Sequence, residues 1–237
     1  MPPVSKKDPM YRFLMVLTIG STIGLQAWLM LFNNFAAERV GLSGEQVGMI
    51  QSIREIPGFL TLLAVFVMVL IKEHRLSALS VLLLGAGLAL TGLFPSYLGL
   101  IITTLMMSFG FHYFETTNQS LTLQYFDQTR SPWVFGKLRS LAAASNIGIG
   151  IFIYLLASVL DFKQTYLVIG LMVMGAGIWG LGRNPTHQDL VPQHKNMVFR
   201  KKYWLYYFLT FMAGARRQKF LDSAVFLLVK KFQLSVQ

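Results

Sequence analysis

Long apolar runs recur along this chain, and they constrain its fold more than any other feature. Only 13% of the residues are charged, against roughly 25% in soluble domains. A helix needs about 20 apolar residues to cross a bilayer. Lipid offers the backbone no hydrogen-bond partners, so each run must be a helix rather than an open strand. We predict seven spans, at residues 11–32, 47–71, 76–94, 97–120, 141–160, 166–182 and 203–229.

The chain has a net charge of +11, and most of its basic residues fall in connections on one side of the predicted membrane spans. This sorting favours a membrane protein in contact with the lipid bilayer over a nucleic-acid-binding one. By the positive-inside rule, we expect a multi-pass protein of the bacterial inner membrane with a cytoplasmic N-terminus. The first run is too long for a signal peptide and is expected to be retained. The basic residues expected on the inner side are Lys6, Lys7, Arg12, Lys72, Arg75, Arg130, Lys137, Arg139, Arg183, Lys195, Arg200, Lys201 and Lys202.

The connections divide the chain into unequal parts. We predict a six-helix bundle over residues 1–182, a cytoplasmic linker over 183–202, and the first helix of an incomplete second bundle over 203–237. Residues 121–140 are expected to form a second long connection. A shift of 192 residues places Tyr11 on Tyr203 and Gln26 on Gln218. Such an echo fits two parallel halves related by an axis along the membrane normal.

Several local motifs support a family resemblance. They are LSGEQVG at residues 42–48, FPSYLG at 94–99, and the pair Phe109-Gly110 followed by the basic stretch 130–139. With them, the chain resembles the N-terminal half of a major facilitator superfamily transporter. The resemblance implies that helices three and six face lipid, while one, four and seven line a central cavity. Met106 stands where drug–proton antiporters of this superfamily carry a basic residue, which argues against a drug exporter.

Span four carries the sharpest candidate site. His112 and Glu115 are three residues apart on one helical face, so they can meet and carry a coupling proton. Charges inside a bilayer usually face a cavity or a partner. The alternative is that Glu115 lies near the cytoplasmic end and pairs with a basic loop residue. The polar stripe comprises Ser108, His112, Glu115, Gln119 and Thr122.

Spans one and two add further polar candidates. Gln26 can bind a polar solute or hydrogen-bond to a neighbouring helix. Arg54 and Glu55 are adjacent in sequence, so we expect them to point apart and not to satisfy each other. Arg54 either reaches the cavity or extends to the outer headgroups. Pro57 is expected to bend this span.

Spans five and seven supply the remaining candidates. Asn146 lies in a run of small residues that favours close helix packing. Arg216, Arg217 and Lys219 in span seven suit a carboxylate or phosphate ligand, because guanidinium groups bind such anions bidentately. The alternative is that this cluster pairs internally with Asp222.

The function expected from these observations is secondary-active transport of a small polar or anionic solute, as a symporter with a coupling proton or cation. The alternatives are a non-transporting membrane fragment and a partner-binding scaffold. A retinal-type pump is disfavoured because span three contains no acid to act as counter-ion. No enzyme signature is present, and the chain contains no cysteine. We expect no cofactor and no metal.

We predict that residues 1–237 alone do not transport solute, because alternating access requires a second bundle as a partner. The measurement is solute uptake by proteoliposomes that contain only this chain. Uptake above that of empty vesicles would contradict the prediction.

Overall fold

The computed structural model describes residues 8–186, 200–205 and 208–209, and all regular structure within these ranges is helical. A π-helical turn, Phe35–Arg39, extends the first helix, and 3₁₀ turns occupy Leu60–Leu63 and Lys201–Tyr203. The α-helices are α1 (Pro9–Asn34), α2 (Gly44–Arg54), α3 (Ile56–Phe59), α4 (Ala64–Leu70), α5 (Glu73–Thr91), α6 (Tyr97–Tyr125), α7 (Ser131–Ala157) and α8 (Phe162–Leu181).

Five of these helices, α1, α5, α6, α7 and α8, are long and apolar enough to cross a membrane. Among the described residues the expected all-α architecture is confirmed, and five such helices are consistent with a multi-pass membrane protein. Most of the seventh span, with most of its 192-residue echo of the first span, and most of the 183–202 linker lie outside the described residues.

The second expected span, 47–71, is helical but broken. It is divided among α2, α3, a 3₁₀ turn and α4, with Glu55 in a turn between α2 and α3. Pro57 has no N–H to donate and its ring crowds the preceding turn, while Gly58 has little helix propensity. The bend predicted at Pro57 is confirmed, and the irregular stretch continues to Leu63.

The prediction of a long connection over residues 121–140 is wrong. α6 continues to Tyr125 and α7 begins at Ser131, so the connection is only residues 126–130. Asp127 organises this turn by accepting hydrogen bonds from the Thr129 hydroxyl at 2.6 Å and the Arg130 N–H at 2.8 Å. These bonds hold the pKa of Asp127 below its ordinary value. Pro132 favours the helix start, and the polar residues after it remain exposed on α7 rather than forming a loop.

Helix α5 is the most enclosed of the five long helices. In its most apolar stretch 67% of the residues are buried, against 11% in α7. The family resemblance implies that this third span faces lipid in the complete two-bundle protein, and that expectation stays a prediction. Within the described bundle, α5 packs against α1, α6 and α8 through small residues.

Glycines set the close approach of α5 to its neighbours. A Cβ built on Gly87 would lie 2.5 Å from the Met107 backbone nitrogen and 2.8 Å from the Thr103 carbonyl oxygen. A Cβ on Gly85 would lie 2.6 Å from the Met174 nitrogen. In span five, a Cβ built on Gly148 would meet no described atom outside its own helix within 4 Å, whereas one built on Gly150 would lie 3.3 Å from Met30 Cε of α1.

Ring contacts show which helix ends share a side of the bundle. The Phe13 ring lies 6.5 Å from both the His74 and Trp179 rings, which brings the starts of α1 and α5 beside the end of α8. At the opposite end, the Phe35 ring lies 5.2 Å from that of Tyr166. The predicted sorting of basic residues is therefore present among the described helices. The first end carries Arg12, Lys72, Arg75, Arg130, Lys137, Arg139 and Arg183.

We predict that Gly87→Ala destabilises the bundle by about 1–3 kcal/mol, because its methyl group meets backbone atoms of α6 that cannot move aside. Thermal unfolding in detergent micelles measures the change. Gly148→Ala is the matched control and should be neutral or stabilising by up to about 1 kcal/mol, since alanine is the better helix former. Equal melting temperatures for the two variants would contradict the prediction.

Candidate functional site

The break in the second span frees backbone carbonyl groups, and side chains of α6 bind two of them. The Ser108 hydroxyl donates to the carbonyl oxygen of Arg54. The Tyr113 hydroxyl donates to the carbonyl oxygen of Leu60 at 3.2 Å. Within the broken span, Thr61 donates to the carbonyl oxygen of Gly58 at 2.6 Å. Because lipid cannot satisfy these groups, the bonds fix α6 against the break.

Arg54 lies at the end of α2 with its side chain only 8% exposed. Its Nε donates to Glu55 Oε1 at 3.0 Å. Its guanidinium carbon lies 5.0 Å from the centroid of the Trp28 indole on α1, which in turn stacks on Phe32 at 4.2 Å. The charge is thus held by a carboxylate and by the face of an aromatic ring.

The expectation that Arg54 and Glu55 point apart is wrong. It assumed a regular helix, in which neighbouring residues diverge by about 100°. Glu55 instead occupies the turn that follows α2, so the two side chains meet. Of the two alternatives for Arg54, extension to the headgroups is not found, since the side chain is buried beside Trp28.

His112 of α6 completes the cluster. A Cβ on Gly58 would lie 3.2 Å from His112 Cε1, so the imidazole packs directly against the glycine after the break. Glu55, Glu115 and Arg54 all interact electrostatically with this ring. The structure therefore gathers four of the predicted site residues around the junction of α2, α3 and α6.

The polar stripe of α6 is not uniform along its length. Ser108 and Thr122 are buried, whereas Glu115 and Gln119 are exposed. Among the described contacts, no hydrogen bond joins His112 to Glu115. The five residues follow one helical face, but the neighbours of α6 change along it, so only the Ser108 end meets α2.

The other predicted site residues lie apart from this cluster or are not described. Gln26 is half-buried on α1, and Asn146 is exposed on α7. Arg216, Arg217 and Lys219 lie outside the described residues. Within the part of the chain that the structure describes, no group of three His, Asp or Glu side chains is placed to hold a metal.

Sequence reasoning missed three contributors to the site. They are Trp28, whose ring covers Arg54, Tyr113, which binds the broken backbone, and Gln51, one turn before Arg54. The Trp28 Nε1 and Gln51 Oε1 atoms are buried without a hydrogen-bond partner. A proline within an apolar run was the available signal, because the carbonyls that it frees require donors on an adjacent helix.

A second polar cluster lies at the end of the bundle that holds the start of α1. The Ser120 hydroxyl of α6 donates to Glu73 Oε1 at the start of α5, at 3.2 Å. The Tyr125 side chain lies near Thr186, which follows α8. These contacts join the ends of three helices, and none of the predicted site residues takes part in them. We therefore assign the cluster a structural role.

Comparison of the sequence with known protein families and with curated proteins finds no match.

We predict that Ser108→Ala and Tyr113→Phe each lower the free energy of unfolding by about 1–3 kcal/mol, because each leaves a carbonyl of the broken span without its donor. Denaturant or thermal unfolding in micelles measures both changes. Ser140→Ala is the control, since this exposed hydroxyl bonds only within α7, to the Gly136 carbonyl at 2.9 Å. Losses no larger than that of the control would refute the assignment.

Proposed function

We propose that this chain forms the N-terminal bundle of a secondary-active transporter of the major facilitator type. It would carry a small polar or anionic solute by alternating access, together with a second bundle. The observation that supports this most strongly is the ion pair of the buried Arg54 with the partly buried Glu55 beside His112, at a break in the predicted second span. Ionisable groups inside a membrane are costly and are usually retained for a pathway or a relay.

The exposure of other polar groups supports the same proposal. Glu115, Gln119 and Asn146 are exposed on helices of membrane-spanning length. Contact of the Glu115 charge with hydrocarbon would cost at least about 2.5–3.5 kcal/mol near the bilayer centre. A water-filled cavity or a further bundle against these residues removes that cost. A transporter of this type has both a water-filled cavity and a second bundle.

The proposed division of labour follows from the placement of the residues. Arg54 and Glu55 lie next to the break and form the solute side, while His112 and Glu115 are candidates for the coupling proton. The basic end of the bundle faces the cytoplasm in this proposal, in agreement with the positive-inside rule. Breaks in membrane helices at a binding site are a recurring feature of secondary transporters.

A partner-binding scaffold remains the second candidate, and the exposure of α7 favours it. This helix has the smallest buried share of the five long helices, and Ile147, Ile151 and Tyr154 are exposed on it. An apolar helix face is equally at home in lipid, however. A scaffold role does not explain the burial of Arg54 beside Glu55.

We predict that Glu115→Gln in the full-length protein removes the dependence of solute uptake on a proton gradient and lowers gradient-driven uptake by at least about tenfold, as expected for loss of a proton carrier. Uptake of labelled small carboxylates and sugars into proteoliposomes, with and without an imposed pH gradient, measures this. Glu45→Gln, at an exposed position in the first turn of α2, is the control. An unchanged pH-gradient response in the Glu115 variant would refute the coupling role.

A further inference from the structure

An apolar groove lies between α5 and α6 on the surface of the bundle. Leu79 and Leu83 are exposed along it. Its volume is about 220 Å³, and its lining residues are Leu76, Leu79, Ser80, Leu83, Phe109 and Tyr113. An apolar cavity of about 150 Å³ holds a benzene molecule, so this groove has room for several methylene groups.

The two hydroxyl groups in the lining already donate within the protein. The Ser80 hydroxyl donates to the Leu76 carbonyl oxygen at 2.7 Å, and that of Tyr113 donates to the Leu60 carbonyl oxygen at 3.2 Å. The Phe109 ring lies edge-on to the Tyr113 ring, with 5.9 Å between their centroids. The described lining thus presents carbon atoms rather than hydrogen-bond donors, which favours a hydrocarbon chain over a polar ligand.

Two basic side chains stand at one end of this groove. Lys72 directly precedes α5, Arg75 lies in its first turn, and both are exposed. Arg75 is four residues before Leu79 and so lies on the same helical face, one turn nearer the end of the bundle. Neither basic residue forms an ion pair among the described residues. Glu73 accepts a hydrogen bond from Ser120 of α6, so this end keeps an excess of positive charge.

We propose that the groove binds an acyl chain of an anionic phospholipid, whose phosphate group lies beside Lys72 and Arg75. Basic residues next to a membrane helix attract anionic head groups, and here they adjoin a surface shaped for the tail. In the orientation proposed above, this lipid belongs to the cytoplasmic leaflet. The proposal goes beyond transport and requires only that the helices cross a membrane.

The charges also favour a lipid over a second copy of this chain. A second copy in the same orientation would bring its own Lys72 and Arg75 to this side of the membrane, where like charges repel. Glu115 follows Tyr113 by two residues, about 200° around α6, so it lies on the other side of that helix from the groove. The carboxylate of Glu115 therefore does not oppose an anionic head group there.

The test is a lipid titration of the purified full-length chain in detergent micelles, with bound molecules counted by native mass spectrometry. The probes are dioleoyl phosphatidylglycerol, dioleoyl phosphatidylcholine, which has the same tails, and glycerol phosphate, which has none. We expect phosphatidylglycerol to bind at least about tenfold more tightly than phosphatidylcholine, because two cations contact its net negative head group. Equal affinities for the two lipids would overturn the proposal, as would glycerol phosphate binding as tightly as phosphatidylglycerol.

Variants of the basic end test the head-group contact. Lys72→Gln and Arg75→Gln should each weaken phosphatidylglycerol binding about fivefold, whereas Lys72→Arg and Arg75→Lys, which keep the charge, should retain most of it. Arg139→Gln is the matched control, since it removes the same charge from an exposed position at the same end of the bundle, on α7. Losses no larger than that of Arg139→Gln would refute the assignment.

The tail contact is tested by filling the groove. Leu83→Trp should weaken binding of both lipids about tenfold, because its ring displaces about two methylene groups of the tail. Ile178→Trp, at an exposed position on α8, is the control, and melting temperatures verify that both variants fold. Unchanged lipid binding in a folded Leu83→Trp variant would contradict the tail site.

A photoreactive phosphatidylglycerol, with a diazirine in the middle of one tail, locates the lipid on the unaltered chain. We expect its cross-links within residues 76–83 and 109–113. Cross-links confined to α7 or α8 would overturn the proposal. The transport function stands or falls separately, because lipid binding is measured here without any solute and uptake is measured without reference to this groove.

Discussion

Inside a bilayer each backbone N–H and C=O must find a partner within the protein, and in this chain that demand is hardest to meet around Pro57. The second span cannot continue there as a regular helix. The carbonyls of Arg54 and Leu60 are bound instead by hydroxyl groups of Ser108 and Tyr113 on α6. These bonds fix the position of α6 relative to α2. The proximity of His112 to the Arg54–Glu55 pair follows from that position.

The site also depends on a rigid support. α5 is enclosed by α1, α6 and α8, and glycines bring its backbone against theirs. α6 therefore has one side packed on α5 and the other bound to the broken span. Trp28, from α1, covers Arg54 at the same place. Four elements that are separate in the sequence thus determine the surroundings of a single guanidinium.

The sequence predicts seven spans; of the six that the structure describes in full, five are long apolar helices and the second is interrupted, because long apolar runs favour helices in lipid. It also predicts the bend at Pro57, because proline lacks the N–H that a regular helix requires. It does not predict the Arg54–Glu55 contact, since that depends on Glu55 leaving the helix. The sequence also does not predict that the Trp28 ring covers Arg54 or that α5 is enclosed by its neighbours. Both features depend on contacts between helices, and the apolar periodicity of a single helix does not specify which helices it will contact.

The start of α7 shows a different limit. Basic residues were interpreted as a loop because charge is costly in lipid, yet a helix can project beyond the membrane and keep them in water. The positions of Arg54, Glu55, His112 and Glu115 in one region could be suspected from composition. Their arrangement could not, because the pairing of α2 with α6 is not encoded by spacing within either helix.

The unequal packing of the long helices has a mechanical consequence. α1, α5, α6 and α8 share a close-packed interior, so they can move only as one body. The second span, interrupted between Arg54 and Ala64, has short helical segments instead of one continuous helix, and two described side-chain hydrogen bonds from α6 hold them. We expect deformation of this bundle to concentrate in that span, at the expense of those two bonds. The Arg54–Glu55 ion pair lies where the close-packed helices join the interrupted span, so a change in the partners of this pair would alter the position of the span.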